Sequence, residues 1–600
     1  MKVVREHRQD LVGRVGIMST VVSALLVAIA VGFWFVQIVH GDYYRELAEN
    51  NRLRKLPIEA PRGLIHDRNG RLLVENIPSY NLLIDRSRTK DLDRSLRFAA
   101  QVLRRPLPEL QALLAGYRAI PEFKPVLLAE SLTLSEVARI GVAGLEYPEL
   151  EVEVRHLRLY RHGEQTAHVM GYLAEATEAE IAAADGDLQP GDLVGKKGIE
   201  EAYDTELRGR DGERVVVVDS HGRPLEEFGH SSAQPGKDLT LTIDLDLQQE
   251  AVRWFQGPEG VGSVVALDPR NGEVLALVSA PAYNPNLFAR RLRKGEWQAL
   301  LDAPNLPLTN RAIQNTFSPG SVFKIVMLTA GLTEKVVNEH SRVFCPGAAV
   351  VYGRRFRCWR PGGHGWVDAR RSLQVSCDVY YYHLGKNLGI ERIARYARMF
   401  GLEVPTGIDL SGEKPGLVPD AAWSLRARKA KWYPGETISV AIGQGPILLT
   451  PMQMAVMTAM AANGGNPVTP HLVKGAQRRT RPDVPLDPHA LKVVRDGLWA
   501  VVNSPGGTAH WSAFVPGIDM AGKTGTVQVV AQSARTKSES LPFRFRDHAW
   551  FSSFAPVGDP RLVVVVFAEH GGGGSRTAAP IGKAVHEKYF APALQRAAAR

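Results

Sequence analysis

Cysteine is scarce in this sequence, with three residues among 600. So few cysteines exclude the disulfide framework that holds small secreted domains together. The sequence also lacks internal repeats and low-complexity tracts, and 44% of its residues are hydrophobic while 23% are charged. This composition is typical of folded domains and excludes extensive disorder. The length predicts two or three domains, because one hydrophobic core rarely organises so long a chain.

A recognition motif for DNA or RNA is also lacking, although the net charge is +10 at neutral pH. Lysine and arginine are scattered among acidic neighbours and form no basic stripe of the kind that contacts a phosphate backbone. Nucleic acid is therefore not an expected partner. Anionic lipid head groups or a polyanionic substrate explain the positive charge equally well.

Formal charge is absent from residues 15–39, a run of 25 residues between Arg14 and His40. As a helix with a rise of about 1.5 Å per residue it extends about 37 Å, enough to cross a hydrocarbon core of about 30 Å. The run predicts one transmembrane helix that follows a short tail, residues 1–14. A cleavable signal peptide would have a shorter apolar region and a small-residue cleavage site. Basic residues flank both ends, so charge bias does not orient the span.

Two compositions follow the apolar run. Residues 41–235 combine turn-rich segments and short apolar strands, and apolar residues recur at helical spacing at about 91–147. This pattern predicts an α+β domain with a helical insertion. A second domain is expected from residue 239 to about 598, where the composition changes again.

The strand patterns of the second domain come from its two ends. Two lie at 262–280 around a turn at 269–272, and three lie at 518–570 with a turn at 557–560. Most of the sequence between these groups has a helical or irregular pattern. We therefore predict an α/β (α+β) domain built on a five-stranded antiparallel sheet with helices on both faces.

Ser321 and Lys324 form an S-x-x-K pattern, which on a helix places the lysine amine one turn from the serine hydroxyl. A serine becomes nucleophilic when a base takes its proton, and a lysine serves once burial or a second cation lowers its pKa. Ser87 and Ser411 begin the same pattern, but in charged or loop-like segments. Ser321 instead opens a nearly all-apolar helix, whose N-terminus offers free backbone N–H groups to an oxyanion.

Two more elements follow Ser321 in order. Ser376 and Asp378 form an S-x-D pattern in which the carboxylate accepts but does not donate hydrogen bonds. The chain's one K-T-G triplet and the residue after it are Lys523, Thr524, Gly525 and Thr526. In this strand pattern we expect an exposed lysine that binds a substrate carboxylate with the two threonine hydroxyls. The glycine is expected to admit the close approach of a ligand backbone.

The three patterns, in this order, resemble the signature set of penicillin-binding proteins and serine β-lactamases. RGLIHDRNG at 62–70 resembles the first pedestal motif of class B penicillin-binding proteins, and GIE at 198–200 with LRG at 207–209 resembles another. GQG at 443–445 and Thr450-Pro451 resemble the family's segment before K-T-G. The sequence is identified as a member of class B, and the resemblance extends over about 60–595. The S-x-D pattern, GGHGW and RDHAWFSSFAP are similar to the elongation-specific members.

The resemblance implies a serine-type peptidoglycan D,D-transpeptidase of cell elongation, with a penicillin-binding/serine β-lactamase-like fold joined to an elongated pedestal. It implies catalytic roles for Ser321, Lys324, Ser376, Asp378 and Lys523, and substrate or oxyanion binding by Thr524, Gly525 and Thr526. Because peptidoglycan lies outside the cytoplasmic (inner) membrane, the tail 1–14 is expected in the cytoplasm and the catalytic domain in the periplasm.

The same resemblance implies the partners. Stem peptides of peptidoglycan, β-lactams and membrane lipid are expected to bind, and no catalytic cofactor is expected. Class B enzymes lack a glycosyltransferase, so a RodA-type membrane glycosyltransferase and other elongation-complex proteins are expected partners.

Related proteins supply alternatives on the same fold. A β-lactamase needs an additional deacylating carboxylate and no large pedestal, so the long N-terminal module argues against it. A D,D-carboxypeptidase uses the same residues and stays open. A penicillin sensor or a catalytically silent scaffold is the non-enzymatic alternative. Intact Ser321, Lys324, Ser376 and Lys523 argue against a scaffold, because it has no need of them all.

All the cysteines fall within 33 residues, at Cys345, Cys358 and Cys377, and His364 lies among them. Three thiolates and one imidazole form the closed tetrahedral set that is typical of structural zinc. The resemblance supports this prediction, because elongation-class members are understood to carry a metal in this region. A disulfide with one free thiol, or buried cysteines that act as small hydrophobes, remain alternatives.

Overall fold

The protein is described by a computed structural model that covers residues 2–43, 53–89, 91–118, 120–122, 124–184, 187–218, 224–290, 292, 295–476, 482–530 and 538–598. The chain divides into two compact units that alternate along the sequence. The first unit consists of residues 1–61, 78–156 and 209–236. The second consists of residues 62–77, 157–208 and 237–600.

The helices are numbered in chain order. Those before residue 240 are α1 Lys2–Trp34, α2 Leu92–Leu103, α3 Leu107–Gly116, α4 Leu134–Val142, α5 Ala167–Met170, α6 Glu178–Ala183, α7 Gly198–Ala202 and α8 Asp204–Arg208. Those after it are α9 Leu245–Val252, α10 Glu296–Leu301, α11 Arg311–Gln314, α12 Lys324–Thr333, α13 Ala369–Gln374, α14 Asp378–Met399, α15 Ala421–Trp423, α16 Pro434–Val440, α17 Pro451–Ala462, α18 Pro488–Asn503, α19 His510–Ala513 and α20 Ala579–Ala598.

The strands follow the same order. Those before residue 240 are β1 Leu53–Ile58, β2 Ile65–His66, β3 Leu72–Ile84, β4 Val126–Ala129, β5 Leu150–Tyr160, β6 Leu173–Glu175, β7 Leu193–Gly195, β8 Gly212–Val218, β9 Pro224–Ser231 and β10 Leu239–Thr240. Those after it are β11 Gly262–Leu267, β12 Val274–Ala280, β13 Val343–Cys345, β14 Ala348–Val351, β15 Arg354–Arg357, β16 Gly365–Val367, β17 Ala521–Val527, β18 His548–Ala555 and β19 Leu562–Ala568.

The predicted apolar helix at the N-terminus is present. α1 continues into a π-helical turn, Phe35–Val39, and the stretch Val12–Val39 is long and apolar enough to cross a membrane. The side chains of Val12–Val39 are exposed in the protein, as expected for a helix whose apolar surface is covered by something other than its own chain. The helix is confirmed, and its passage through a membrane stays a prediction.

The first unit contains the sheet β1-β8-β9 and the helical insertion. In the insertion, Asp91 caps α2 and Thr133 forms a capping box with Glu136 on α4. The apolar faces of α2, α3 and α4 pack on β4, which pairs with residues 82–84 of β3. Strand β4 was not predicted, because a strand of four residues is too short to show a period. Its hydrogen-bonded partner, β3, is also distant in sequence.

The second unit is built on the predicted five-stranded sheet, in the order β12-β11-β19-β18-β17, and every neighbouring pair is antiparallel. Both faces of the sheet are buried. On β11, for example, Val264 and Ala266 belong to one apolar cluster with α9 and α20, whereas Val265 and Leu267 belong to another with α12 and α17. This alternation is the period of two expected for a strand covered on both sides. The prediction of helices on both faces is confirmed.

Strands β13 to β16 were not predicted. They form two small antiparallel hairpins within residues 343–367, β13 with β16 and β14 with β15. The alternating pattern of β15 around Phe356 and the turn at Tyr352-Gly353 are local signals for a hairpin, but four strands of three or four residues each fall below the length at which the period is diagnostic.

Candidate active site

Ser321 lies in a tight turn that is locked into the second unit. The turn is a 3₁₀ segment, Gly320–Phe323, that leads directly into buried α12. The Gly320 N–H donates to the Gly443 carbonyl at 2.9 Å. Gly443 has φ of 72°, and a Cβ there would lie 2.0 Å from the Gly320 oxygen, so only glycine fits. The G-Q-G pattern therefore supports the serine turn from behind.

Strand β17 supports the same turn from the other side. The space that a side chain would occupy at Gly525 is bounded by Trp550, Val322 and Pro319 at 3.0–3.3 Å. The indole N–H of Trp550 donates to the Ser318 carbonyl at 3.1 Å. The expectation that Gly525 admits a ligand backbone is therefore corrected, because the segment that approaches it is the protein's own serine turn.

Lys324 is completely buried and connects the first two sequence patterns. Its Nζ donates to Ser376 Oγ at 3.1 Å, to the Ser376 carbonyl at 3.0 Å and to Asp378 Oδ1 at 2.6 Å. The Tyr381 ring lies 5.1 Å from the same nitrogen. The S-x-x-K lysine and the S-x-D loop thus form one ion-paired, hydrogen-bonded cluster.

Asp378 has partners at both carboxylate oxygens. Oδ1 pairs with Lys324, and Oδ2 accepts the Trp359 backbone N–H at 3.0 Å. Ser376 holds a left-handed backbone with φ of 51°, which costs a residue with a side chain about 1–2 kcal/mol. Such local strain persists where the surrounding contacts determine the conformation. Asp378 is therefore placed to hold Lys324 and the loop.

Lys523 is completely buried, and the expected exposure of this lysine is wrong. From its place on β17 the Lys523 side chain points into the interior, where Nζ donates to the Thr524 carbonyl at 3.0 Å. Burial lowers the pKa of Lys523 well below its usual value, the positive charge of Lys324 lowers it further, and Asp378 opposes the change. Burial thus shifts this amine toward its neutral form, at a position where it is affected by the charge of Lys324.

The two threonines of the same strand differ in exposure. Thr524 is buried, and its hydroxyl hydrogen bonds that of Thr508 at 2.8 Å. Thr526 is exposed, and its carbonyl accepts from the Gln444 side chain at 3.2 Å. Because β17 is the edge strand of its sheet, the side of the strand away from β18 is the one open to an added strand.

The predicted metal ligands also meet. One ligand atom from each of Cys345, Cys358, His364 and Cys377 lies within 4.8 Å of the others, and all four residues are buried. Nδ1 of His364 is 3.6 Å from the sulfurs of Cys345 and Cys358. The three cysteines are free in this structure. A hydrogen bond between Cys358 and Cys377 lowers the pKa of Cys358 and raises that of Cys377.

Comparison with known proteins gives one consistent result. Residues 262–587 match the penicillin binding protein transpeptidase domain, and residues 57–241 match the penicillin-binding protein dimerisation domain. The first match alone covers more than half of the chain. The chain belongs to the class B penicillin-binding proteins.

Individual class B proteins agree in both sequence and structure. The peptidoglycan D,D-transpeptidase MrdA of Acinetobacter baumannii is 34% identical over 97% of this chain and 88% of its own length. The PBP2 chain of a Helicobacter pylori PBP2–MreC complex has a TM-score of 0.81 at 27% identity, over 90% of this chain and 99% of that one. A chain of a peptidoglycan synthase complex, solved to explain how polymerization and crosslinking are coordinated, has a TM-score of 0.73 at 33% identity, over 96% and 98%.

These relatives confirm the assignment made from the sequence. The protein is a serine-type peptidoglycan D,D-transpeptidase of cell elongation, with a transpeptidase domain and a pedestal.

Ser87 and Ser411, which begin the other two S-x-x-K patterns, donate hydrogen bonds to carboxylates. Ser87 donates to Asp85 at 2.7 Å, and Ser411 donates to Glu201. Each of these hydroxyls is thus held by a carboxylate, whereas the lysine of the S-x-x-K pattern at Ser321 contacts the S-x-D loop. Lys90, in the pattern that begins at Ser87, lies outside the described residues.

Trp359 is a site residue that sequence reasoning missed. Besides its backbone contact with Asp378, its indole N–H donates to the carbonyls of Val375 and Ser376, both at 3.1 Å. It therefore clamps the S-x-D loop from outside. The one signal in the sequence was its position next to Cys358, a predicted metal ligand.

The pKa of Lys523 makes a prediction for stability. The pKa of Lys523 is lowered in the folded state, so at any pH between that pKa and the usual lysine value the unfolded chain binds one proton more than the folded chain. Unfolding then takes up a proton, and the free energy of unfolding rises with pH in this window. Lys523→Met keeps the length of the side chain without its charge. We expect the variant to unfold at a higher temperature near neutral pH and to lose most of this pH dependence. Thermal unfolding from pH 6 to 10 measures both, and a variant with the wild-type pH slope would contradict the assignment.

Proposed function

We propose that Ser321 is the nucleophile that attacks the penultimate D-Ala carbonyl of a stem peptide. The observation that carries this proposal is the buried contact of Lys324 Nζ with Ser376 Oγ at 3.1 Å, one helical turn after Ser321. It joins the S-x-x-K lysine to the S-x-D loop in a buried cluster that begins one helical turn after Ser321. The G-Q-G segment and β17 fix the serine turn on either side of this cluster.

The chemistry proceeds in two balanced steps. The Ser321 oxygen bonds to the carbonyl carbon while its proton passes to the amine cluster, and the bond to the terminal D-Ala nitrogen breaks as that nitrogen takes a proton. The amine of a neighbouring strand then attacks the ester, loses its proton to the same cluster and releases the Ser321 hydroxyl. Lys324 is the base in this scheme. Its ammonium, which pairs with Asp378, first gives a proton to the Lys523 amine, whose pKa is lowered, and the neutral Lys324 then takes the proton of Ser321.

Strand β17 provides the binding side of the site. A stem peptide that lies antiparallel to its open edge gains main-chain hydrogen bonds as an added strand. A Cβ on Gly320 would lie 3.0 Å from the Thr526 carbonyl oxygen, so the Ser321 turn adjoins β17, and backbone N–H groups of the two segments would form an oxyanion hole together. The hydroxyl of exposed Thr526, rather than the amine of buried Lys523, meets the substrate carboxylate in this proposal.

Labelled penicillin tests the assignment directly. We expect one covalent adduct per chain, on the peptide that contains Ser321, and formation of cross-linked dimers when the protein receives uncross-linked peptidoglycan. An adduct on another peptide would refute the nucleophile. Release of D-Ala with no cross-linked product would instead identify a D,D-carboxypeptidase.

A structural zinc ion is the cofactor that the Cys/His cluster fits. Bond lengths of about 2.3 Å for Zn–S and 2.05 Å for Zn–N place tetrahedral sulfur and nitrogen ligands about 3.6 Å apart. The distances from His364 Nδ1 to Cys345 and Cys358 are 3.6 Å. Four ligands close the coordination shell, so the ion would stabilise the fold and take no part in the reaction. Cys377, between Ser376 and Asp378, would tie the loop to β13 and β16.

Elemental analysis of protein purified without chelator tests the zinc site. We expect about one zinc per chain in the wild type and less than about 0.2 in Cys358→Ser, with a lower unfolding temperature for the variant because a structural zinc contributes to folding. Ser341→Ala, a change of similar size outside the cluster, serves as the control. Metal-free wild-type protein with a Cys–Cys bridge in its mass spectrum would refute the proposal.

The chain is proposed to span the inner membrane once through Val12–Val39, with its catalytic domain in the periplasm. Support comes from the apolar helix and from the location of the substrate, peptidoglycan. Protease added outside spheroplasts should digest the large domain and leave a small fragment that contains the span. Protection of the large domain would contradict this orientation.

A RodA-type glycosyltransferase is the proposed partner, bound through the span and the pedestal. Solved complexes support a partner of this kind, because one relative of this chain occurs with MreC and another occurs in a peptidoglycan synthase complex. The purified chain alone should not polymerise lipid II.

We also propose domain limits of 41–235 for the pedestal and 239–598 for the transpeptidase domain. The family matches at 57–241 and 262–587 support them.

A further inference from the structure

The hairpins β13 to β16 carry an unusual surface. Residues 341–367 contain five arginines and neither aspartate nor glutamate, whereas the whole chain has 73 basic and 63 acidic residues. The side chains are exposed for all five arginines, Arg342, Arg354, Arg355, Arg357 and Arg360. Four aromatic residues on the same hairpins and loops are also exposed, Phe344, Tyr352, Trp359 and Trp366. We name these nine residues the arginine–aromatic surface.

The five arginines have no carboxylate partner among the described residues, although Arg354 lies 5.6 Å from the centroid of the Phe356 ring. Elsewhere arginines commonly pair with carboxylates, as Arg398 does with Glu403 and Asp420. Among the described residues, none of the five forms an ion pair. A cluster of like charges without counter-charges is unfavourable in the free protein, so it indicates an anionic ligand that binds there.

The aromatic residues present their rings to solvent in a defined geometry. Phe344 on β13 lies directly opposite Trp366 on β16, and their ring centroids are 5.5 Å apart. The exposed fractions of these residues are 52% and 63%. Side chains this large and this exposed, clustered on two hairpins, mark a binding surface more often than a single exposed aromatic does.

The register of the second hairpin directs two arginines outward. Arg355 lies opposite Val350 and Arg357 opposite Ala348, so both arginines share one face of the hairpin. Phe356, on the other face, has its ring 5.4 Å from that of Tyr382 on α14, which fixes that face inward. The guanidinium groups of Arg355 and Arg357 are therefore held side by side toward solvent.

The surface is continuous with the candidate active site. Trp359 belongs to both, since its N–H groups contact Asp378 and Ser376 while 57% of the residue remains exposed. The Cys/His cluster, with ligands on or beside these hairpins and within the S-x-D loop, joins the two regions. A ligand that extends from the reacting serine past the S-x-D loop would reach the arginines without leaving the protein surface.

We propose that the arginine–aromatic surface binds an uncross-linked peptidoglycan strand and delivers its stem peptides to Ser321, an inference that rests on the proposed function. Stem peptides carry free carboxylates, which arginine binds with two parallel hydrogen bonds. The apolar faces of sugar rings pack on aromatic rings. Transpeptidation joins two strands, and the site at β17 holds only the end of one stem. A second attachment raises the effective concentration of the reacting stem at the serine.

The test uses the full-length protein in nanodiscs of uncharged lipid and fluorescent, uncross-linked peptidoglycan strands. The double variant Arg355→Glu/Arg357→Glu and the single variant Trp366→Ala, on the other hairpin, are compared with the wild type. Arg97→Glu/Arg118→Glu makes the same charge change on exposed arginines of the helical insertion and is the matched control. Titration with labelled penicillin gives the concentration of competent protein in each sample, so affinities are compared per active site.

We expect the dissociation constant for strands to rise at least tenfold in the double variant and at least threefold in Trp366→Ala, and less than twofold in the control. The wild-type affinity should fall as salt is raised, because arginine–carboxylate attraction is screened. Unchanged affinity in both surface variants, or an equal loss in the control, would overturn the proposal. The proposal would also be overturned if the surface variants lost binding to vesicles of anionic phospholipid but bound strands as the wild type does. If the wild-type protein reacts with penicillin but binds no strand, the proposal for the arginine–aromatic surface is wrong and the proposed function stands. If the wild-type protein is not labelled by penicillin, the proposed function is wrong.

Discussion

Ser321→Ala is expected to abolish covalent labelling by penicillin, with a loss of at least about 10³-fold in the rate of acylation. The hydroxyl is the atom that bonds to the carbonyl, so no other group of the site replaces it. Ser321 is half-buried, and the loss of one oxygen from its turn should change the free energy of unfolding by less than about 0.5 kcal/mol. Gel fluorescence of labelled protein and thermal unfolding measure the two effects.

The chain offers two matched controls for this substitution. Ser87→Ala and Ser411→Ala remove the serines of the other S-x-x-K patterns, whose hydroxyls are held by Asp85 and Glu201. Both variants should label at the wild-type rate. Labelling that persists in Ser321→Ala, or that disappears in a control variant, would disprove the assignment of the nucleophile.

Lys324→Ala should also abolish acylation, but unlike the serine variant it should destabilise the protein. Its ammonium is completely buried and pairs with Asp378, whose side chain is 11% exposed. Removal of one partner of a buried ion pair leaves an uncompensated charge and typically costs about 3–5 kcal/mol. We expect a loss of at least about 10²-fold in the rate of acylation, as for removal of a general base, together with a lower unfolding temperature.

A double-mutant cycle separates the two roles of Lys324. Asp378→Asn keeps an oxygen that accepts the Trp359 N–H and removes the carboxylate charge. In Lys324→Ala/Asp378→Asn the unpaired charge is gone, so most of the lost stability should return while acylation stays absent. If the double variant is as unstable as Lys324→Ala, the ion pair is not the source of the loss. If it acylates, Lys324 is not the base.

The prediction of the sheet from the sequence succeeded because its signals are local. A strand covered on both faces shows as a continuous apolar run, as in RLVVVVFAEH, and tight turns at 269–272 and 557–560 show where the chain reverses. Hairpin partners are then neighbours in sequence, and each pair is antiparallel. Strands β13 to β16 are only three or four residues long, too short for the period to be diagnostic, although the turn at Tyr352-Gly353 is a local signal between β14 and β15. The partners β13 and β16 are separated in sequence by the β14–β15 hairpin.

The sequence by itself determined the family, the S-x-x-K, S-x-D and K-T-G patterns and the four clustered Cys and His residues, since each depends on residue type and spacing. Only the tertiary structure decided how these patterns meet. Lys324 contacts Asp378 across 54 residues, and Lys523 approaches both from a strand near the end of the chain. The burial of Lys523, its lowered pKa and the tight approach of the serine turn to Gly525 follow from this packing. Burial and pairing arise between residues that are distant in sequence, and no local pattern records which of them the fold brings together.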